Sequence, residues 1–464
     1  IIDEVHNCTK EGKTLSNPLK KLVKYADNLR LILLSATPMY NSPKEIIWIT
    51  NLMNLNDRRP TIKYSDVFDE DGKLIGEDLL RRKLTGYVSY VRGENPYTFP
   101  FRVYPSPSKQ KFTAINSGEE VDVPLQGKIY LTEIGEMQKK VYDLVIRKSL
   151  NQGDGLFVVN NESDLENMEK YGYSKLQAPL QSLIVTFWHE DFERIVNDEE
   201  DDDVKYKELY GQTGLDHMMK YVKDNTKNLK YNYEYKEGVP HIFSQDLLPR
   251  YSAKITKVCD CIRASANRIV EIDKVNKTIH GGIIIVYTQY IYGGIVPMAL
   301  ALEEMGFLRY GGEHDSLFKK GIVDKRIDAN TMEEYSKNEL PGSFKQARYM
   351  IISGDKYFSQ NNAEDIKVVT NNDNKYGEQV RVILISRAAS EGLDFKNVRQ
   401  VHVLDPWYNM NRNEQIIGRG VRNRSHCSLE FEERNVEIYM HATNNGIKET
   451  ADTYVYRYAE EKAK

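Results

Sequence analysis

The chain has 464 residues, enough at ~150 residues per domain for roughly three domain-sized pieces, any of which can bury a core. Hydrophobic residues make up 40% and charged residues 28%, and no run approaches the ~18 consecutive apolar residues of a membrane helix, so a helical transmembrane protein is excluded. Lysine plus arginine (64) nearly balances aspartate plus glutamate (68), leaving a net charge of −4, so no global basic field recruits nucleic acid and any such binding is local.

From the first residue, Ile1-Ile2 reads as the tail of an apolar strand delivering Asp3-Glu4-Val5-His6 to its carboxyl end, with no signal peptide before it. Four scattered cysteines (Cys8, Cys259, Cys261, Cys427) form neither a disulfide framework nor a zinc pattern, which fits a reducing compartment. Leu31-Ile32-Leu33-Leu34 precedes Ser35, a short apolar run of the kind buried on both faces in parallel sheets. Residues 101–250 differ: an alternating stretch from Gly127 to Thr132, a helix over Glu136–Lys148 and an acidic run from Asn197 to Asp203, read together as an insertion with a solvated loop. A helix is expected over Ala253–Ile272 with Ser252 as N-cap, a strand at Ile283–Val286 before Tyr287-Thr288, and a helix over Pro297–Met305 ending at Gly306. Lys356–Glu378 reads as a surface loop and Val382–Ile385 as a strand before Ser386. Alternating strands and helices predict an α/β fold built on parallel sheets, with working residues on loops at the carboxyl ends of the strands.

Those loops hold four groups with chemical meaning. One carboxylate of Asp3-Glu4 can hold Mg²⁺ while the other orients or deprotonates an attacking water. Ser35-Ala36-Thr37-Pro38 is a turn of small hydroxyl residues closed by proline. Ser386-Arg-Ala-Ala-Ser-Glu-Gly392-Leu-Asp394 follows a buried strand, and Gln415-Ile-Ile-Gly418-Arg419-Gly-Val-Arg422 places two arginines three apart, expected on one helix face. Arginine's permanent charge and planar donor fork suit a transferred phosphoryl group. Each group alone is more simply an ordinary turn, cap or solvated pair. Nine histidines show no paired metal spacing, and Cys259 and Cys261, two apart on a helix, read as core.

In this order and at these strand ends, the four groups resemble the motifs of superfamily 2 DExH-box helicases and translocases, at both ends of the chain. Asp3-Glu4-Val5-His6 resembles the Walker B motif, Ser35-Ala36-Thr37 the third motif, Ser386 to Asp394 the fifth and Gln415 to Arg422 the sixth. Asp405-Pro-Trp407-Tyr-Asn409, with Leu131, Gln138 and Tyr142, looks like the Swi/Snf-like branch. Ser35 to Glu45, Val91 to Tyr97, Arg419 to His426 and Arg434 to Tyr439 are similar to helicases of nucleocytoplasmic large DNA viruses, relatives of the poxvirus early transcription factor small subunit and nucleoside triphosphatase.

The resemblance implies RecA-like lobes, ATP and Mg²⁺ as cofactors, and a chain divided as 1–100 (distal half of the first lobe), 101–250 (insertion and connector) and 251–464 (second lobe). It implies that Asp3 handles Mg²⁺, that Glu4 positions the hydrolytic water, and that His6, Ser35, Ala36 and Thr37 couple nucleotide state to nucleic acid. Gly392 and Asp394 are expected near the nucleotide, Gln415, Arg419 and Arg422 along its cleft with Arg422 as arginine finger, and Ser386 at a backbone phosphate; Arg387 receives no role. Thr288, after the strand Ile283–Val286, stands where a hydroxyl could meet a backbone phosphate and is equally read as a plain strand-end cap. Lys20, Lys21, Lys24, Arg81, Arg82, Lys83 and Arg92 are candidate phosphate contacts beside their ordinary reading as solvated faces. One departure matters. The phosphate-cradling glycine-rich loop should precede the acidic pair, and only Ile1 and Ile2 do. Gly12-Lys13-Thr14 spells the end of such a loop, but Asn7 stands at the upstream glycine position and no helix pattern follows. The chain is therefore expected to lack the first half of lobe one and to bind ATP poorly by itself. Expected partners are DNA rather than RNA, and viral RNA polymerase or early transcription factor subunits, with no membrane, in host cytoplasm or virion. Two alternatives stay open: a viral transcription ATPase that separates no strands, and a non-catalytic nucleic-acid-binding protein.

Overall fold

The computed structural model describes residues 1–8, 15–39, 42–70, 72–90, 94–95, 97–151, 173–197, 205–221, 233–272, 274–311, 316–319, 322–336, 344–355, 358–359, 362–387 and 393–463. Gly392, Gly12-Lys13-Thr14, Arg92 and the acidic positions 198–203 lie outside them. The chain forms two compact units, Ile1–Gly93 and Glu94–Lys464.

In the first unit, Ile2 and Leu33 form a parallel bridge: the Ile2 amide donates to Ile32 O and the Leu34 amide to Ile2 O, both at 2.8 Å. The strand expected to be buried on both faces is buried on one. Leu31 and Leu33 pack against Val5, Val23, Trp48, Ile49 and Leu52, whereas Ile32 and Leu34 are 50% and 46% exposed. Their alternation is the period of two that any extended segment has, and this unit covers only one side. Helices Ser16–Tyr25, Lys44–Asn56 and Glu77–Leu84 complete the unit, and the Trp48 indole donates to Ser16 Oγ at 3.0 Å across the first two.

The second unit is built on eight strands: β1 (Phe101–Val103), β2 (Tyr130–Glu133), β3 (Ile283–Tyr287), β4 (Leu308–Tyr310), β5 (Arg348–Ile352), β6 (Val382–Ile385), β7 (Val398–Val403) and β8 (Asn435–Asn444). Every pairing is parallel, in the order β1-β8-β7-β3-β6-β5-β4, with β2 joining the far end of β8. Continuous apolar runs demand this arrangement: every residue of β3 and β6 is buried, and neighbours along a strand serve opposite faces. Ile284, Val286, Val382 and Leu384 join one core with helices Ala253–Ala264 and Val296–Glu304, while Ile283, Ile285, Ile383 and Ile385 join another with helix Met410–Gly420. This is an α/β fold built on a parallel sheet.

Three segments depart from expectation. The helix begun at Ala253, with Ser252 Oγ accepting from the Ile255 amide at 3.1 Å, ends at Ala264, and Arg268–Ile272 instead forms a hairpin with Val275–Ile279. The β-branched Ile269, Val270 and Ile272 favour that strand over another helical turn. Lys356–Glu378 is not simply a loop: Asn362–Thr370 is helical, and Ile366 and Val369, three apart, turn one side into the core. Segment 101–250 supplies β1 and β2, so it is joined to the sheet rather than merely inserted before it. The helix ending at Glu304 closes at Gly306, whose φ of +103° suits glycine.

Candidate nucleotide and nucleic-acid site

In the first unit the extended start ends at Asp3, and Glu4 takes φ 50°, a left-handed conformation costing a non-glycine residue about 1 kcal/mol. The turn leaves both carboxylates exposed and directs His6 inward, where its side chain is 4% exposed. His6 Nδ1 lies 2.9 Å from Ser35 Oγ and 3.4 Å from Glu4 Oε2, and Ser35 Oγ accepts from the Thr37 amide at 3.0 Å. The acidic turn and the Ser35-Ala36-Thr37 turn, far apart in sequence, thus meet at one atom, His6 Nδ1, which hydrogen-bonds with Ser35 Oγ and has the Glu4 carboxylate at ion-pair distance. The Thr37 hydroxyl is buried with no partner among the described residues, and Ala36 is exposed. Lys20, Lys21, Arg81, Arg82 and Lys83 stand on two different helices, Ser16–Tyr25 and Glu77–Leu84; of these, Arg81 is paired with Glu77 at 2.6 Å.

In the second unit, Ser386 directly follows β6; its amide donates to Ile352 O at 3.2 Å and its buried hydroxyl has no partner among the described residues. Arg419 Nη1 donates to Leu393 O at 3.1 Å, and the Phe395 amide donates to Arg419 O at 3.3 Å. Arg422 Nη1 meets Asp394 Oδ1 at 2.7 Å, and its Nε donates to Gly418 O at 3.2 Å. Residues 393–395 are therefore stitched to 418–422. The arginines do not share a helix face as expected. The helix stops at Gly420, Val421 has φ −111° and ψ 87°, and Arg422 lies beyond it; the common edge is made by Leu393, Asp394 and Phe395. Gln415, half-buried, lies one turn before Arg419 and does share its face.

Thr288 is fully buried and has its own partners. Its hydroxyl bonds to Asp405 and accepts from the Tyr290 amide at 3.3 Å, and Gly294 packs so closely that a Cβ there would fall 2.6 Å from Oγ1. In this structure it is a cap at the end of β3 with no access for a phosphate.

Sequence reasoning missed the polar network beneath this edge. Asp405 is fully enclosed and accepts from Gln289 Nε2 at 2.7 Å; burial pushes its carboxyl up to about 6. Lys254 and Asp452 form an ion pair of 2.7 Å with both side chains sealed from solvent. Trp407 carries Arg387 and Arg412 at 4.8 and 4.5 Å from its ring, with Tyr173 at 4.6 Å. Trp407 was visible as part of a motif. Its neighbours come from distant segments, and spacing gives no sign of them.

Exposed carboxylate oxygens at Asp3 and Glu4 are the hard donors that Mg²⁺ takes, so the acidic turn fits the metal. Arg419 and Arg422 suit a phosphate, but the described residues include no glycine-rich phosphate cradle. The nucleotide is thus matched in part.

The parallel sheet carries residues 393–395 and 418–422 together at its carboxyl edge. Residues 325–424 match the helicase conserved C-terminal domain, a span holding Ser386, Asp394, Gln415, Arg419 and Arg422 but not Thr288. A protein of Acanthamoeba polyphaga mimivirus, whose name describes an ATP-dependent RNA helicase, is 25% identical over 100% of this chain and 39% of its own length. A termination factor NPH-I homolog of African swine fever virus is 22% identical over 95% of this chain and 55% of its own. The C-terminal part of the Fun30 ATPase domain matches over 71% of this chain and 88% of its own with TM-score 0.36 and 13% identity, too loosely to carry an argument. The chain is thus similar, over nearly its whole length, to helicase-type and termination-factor proteins of mimivirus, African swine fever virus and an invertebrate iridescent virus. It spans between two fifths and about three fifths of the length of the first relatives it matches. No described helix is long and apolar enough to cross a membrane.

Proposed function

We propose that this chain is the hydrolytic and coupling part of an ATP-dependent helicase or translocase that acts on DNA in viral transcription or replication. The observation that carries the reading is the stitched edge, where Leu393 and Asp394 hold Arg419 and Arg422 at the end of the parallel sheet. The proposed division is the distal part of a first lobe in residues 1–100, a connector in 101–250 that shares the sheet, and a second lobe in 251–464. Mg²⁺ would be held by Asp3 and would neutralise phosphate charge. Glu4 orients the attacking water and takes its proton. Arg422, with Arg419 beside it, places positive charge where the transferred phosphoryl group develops negative charge. His6 passes the state of the acidic turn to Ser35 and Thr37 through the 2.9 Å contact. Ser386, whose buried hydroxyl has no partner among the described residues, is assigned to the nucleic-acid backbone, and Thr288 is not. Viral RNA polymerase or early transcription factor subunits are the proposed partners, in host cytoplasm or virion.

The African swine fever virus relative's name favours a second reading, a transcription termination ATPase that separates no strands. The test is Mg²⁺-ATP turnover by the full gene product that carries this chain, without nucleic acid and with single-stranded DNA, duplex DNA or RNA, beside a strand-displacement assay. Stimulated turnover is expected, greater with DNA. Turnover without displacement selects the second reading. Glu4→Gln should abolish turnover while nucleotide binding persists, and undiminished hydrolysis would overturn the assignment.

A further inference from the structure

Away from the sheet edge, three segments bring together a set of side chains that the proposed motor does not use. His189 follows the buried Phe187, Glu208 lies on the turn Lys205–Leu209, and His217 on the helix Gly211–Met218. Their ligand atoms all lie within 4.8 Å of one another, and the two imidazoles stack at 4.1 Å with 7° between planes. No spacing in the sequence announces this pair of histidines. We propose that His189, Glu208 and His217 bind one divalent transition-metal ion of the zinc class.

The geometry supports this in two ways. In a tetrahedral zinc site the ligand atoms stand roughly 2.0–2.2 Å from the ion, which puts them roughly 3.3–3.6 Å from one another. Glu208 Oε2 is 3.0 Å from His189 Nε2 and 3.4 Å from His217 Nδ1, so small adjustments open room for an ion. The second support is the direction of the hydrogens. His217 Nε2 gives its hydrogen to Glu190 Oε2 at 2.8 Å, the carboxylate-to-imidazole contact that orients metal-bound histidines. Neutral His217 then turns the lone pair of Nδ1 toward Glu208 Oε2, acceptor against acceptor. A cation between them removes the repulsion. A divalent metal ion binds these lone pairs.

His189 must change its tautomer. Without metal, its Nδ1 accepts from the Asp191 amide at 2.9 Å, which leaves the ring hydrogen on Nε2 facing Glu208. Ligation by Nε2 moves that hydrogen to Nδ1, where Glu190 Oε2, 3.7 Å away, becomes its acceptor and the Asp191 amide gives up its own. Water takes the fourth position. Among the described residues, Lys205 lies 3.8 Å from Asp191, and Glu190, Asp191 and Glu208 outnumber it. An ion here joins the chain on both sides of the acidic run, locking residues 189–191 to 208–217 beside the apolar cluster of Phe192, Ile195, Val196 and Leu209.

The test is metal content. The whole chain, stripped with chelator, is dialysed against zinc and assayed by elemental mass spectrometry, and titrated with Co²⁺ to read its visible d–d bands. Wild type should hold one zinc per chain and develop tetrahedral Co²⁺ absorption. His217→Asn and Glu208→Gln should each lose the ion, so that one serves if the other fails to fold. Glu190→Gln should keep the stoichiometry while weakening affinity about tenfold or more, as loss of an orienting carboxylate does. His241→Asn, at a histidine outside the cluster, should change nothing. Wild type without zinc, or His217→Asn and Glu208→Gln folded with zinc retained, overturns the proposal.

Discussion

Lys254→Met isolates the buried ion pair that ties helix Ala253–Ala264 to helix Ala451–Ala463. Lys254 Nζ lies 2.7 Å from Asp452 Oδ2 and donates to Leu404 O at 2.9 Å, with side-chain exposures of 1% and 0% for the pair. Removing one partner of a buried pair costs about 3–5 kcal/mol because a charge is left enclosed without its counterion. Asp452 would keep three donors, the Thr443 and Thr453 amides at 3.0 and 2.8 Å and the Thr450 hydroxyl at 2.5 Å, which argues for the lower end. Adding about 1 kcal/mol for the lost bond to Leu404 gives about 4 kcal/mol. At 1.4 kcal/mol per tenfold, amide hydrogen exchange in the two helices should accelerate by almost three orders of magnitude, roughly, wherever it proceeds through opening of this unit. Exchange is the right assay because the chain has two units and a single denaturation midpoint mixes them. Lys254→Met with Asp452→Asn should recover to within about 1 kcal/mol of wild type, since no charge is then stranded. Acceleration below tenfold in the single variant, or no recovery in the double, would refute the reasoning.

Asp405 predicts a pH dependence. Its carboxyl titrates at about 6 in the fold against 3.8 when exposed, so its contribution is most favourable below 3.8, declines as pH rises, and is flat above about 6. The change is about 3 kcal/mol at 1.36 per unit, and Asp405→Asn should gain on wild type by that order across the window; a difference in stability independent of pH would contradict it. Arg422 and Asp394 form an exposed pair, so Asp394→Asn should alter stability by less than about 0.5 kcal/mol. Arg422→Ala in the full gene product should lower turnover by about 10³ or more if it acts as an arginine finger, and turnover at the wild-type rate would remove that role.

The sheet was legible where apolar runs were continuous. Ile283–Val286 and Val382–Ile385 could be read as strands because burial on both faces leaves no polar alternation. Leu31–Leu34 has the same composition yet half of it faces solvent, because burial depends on what lies opposite and a run cannot report that. The site followed a similar division. His6 with Ser35, and Asp394 with Arg422, could be expected to converge because each belongs to a motif at a strand end. Arg422 leaving the helix was hidden, since Val421 and Arg422 carry no helix breaker and the chain turns there through Ser425 Oγ, which accepts the Arg422 amide at 3.3 Å. The His189, Glu208 and His217 cluster was equally hidden, being assembled from three segments by packing alone.

The single strand β8 has a consequence for how the protein is made. It pairs with β1 at its start, β7 along its middle and β2 at its end, so Phe101 and Tyr130 find their backbone partners only at Asn435 and His441. On a ribosome, these early segments wait with open edges until Asn435 and His441 have emerged. Non-local parallel pairing of this kind is slow, and exposed edges in the interval invite aggregation. Synthesis that ends before β8 therefore leaves β1 and β2 without a sheet to join.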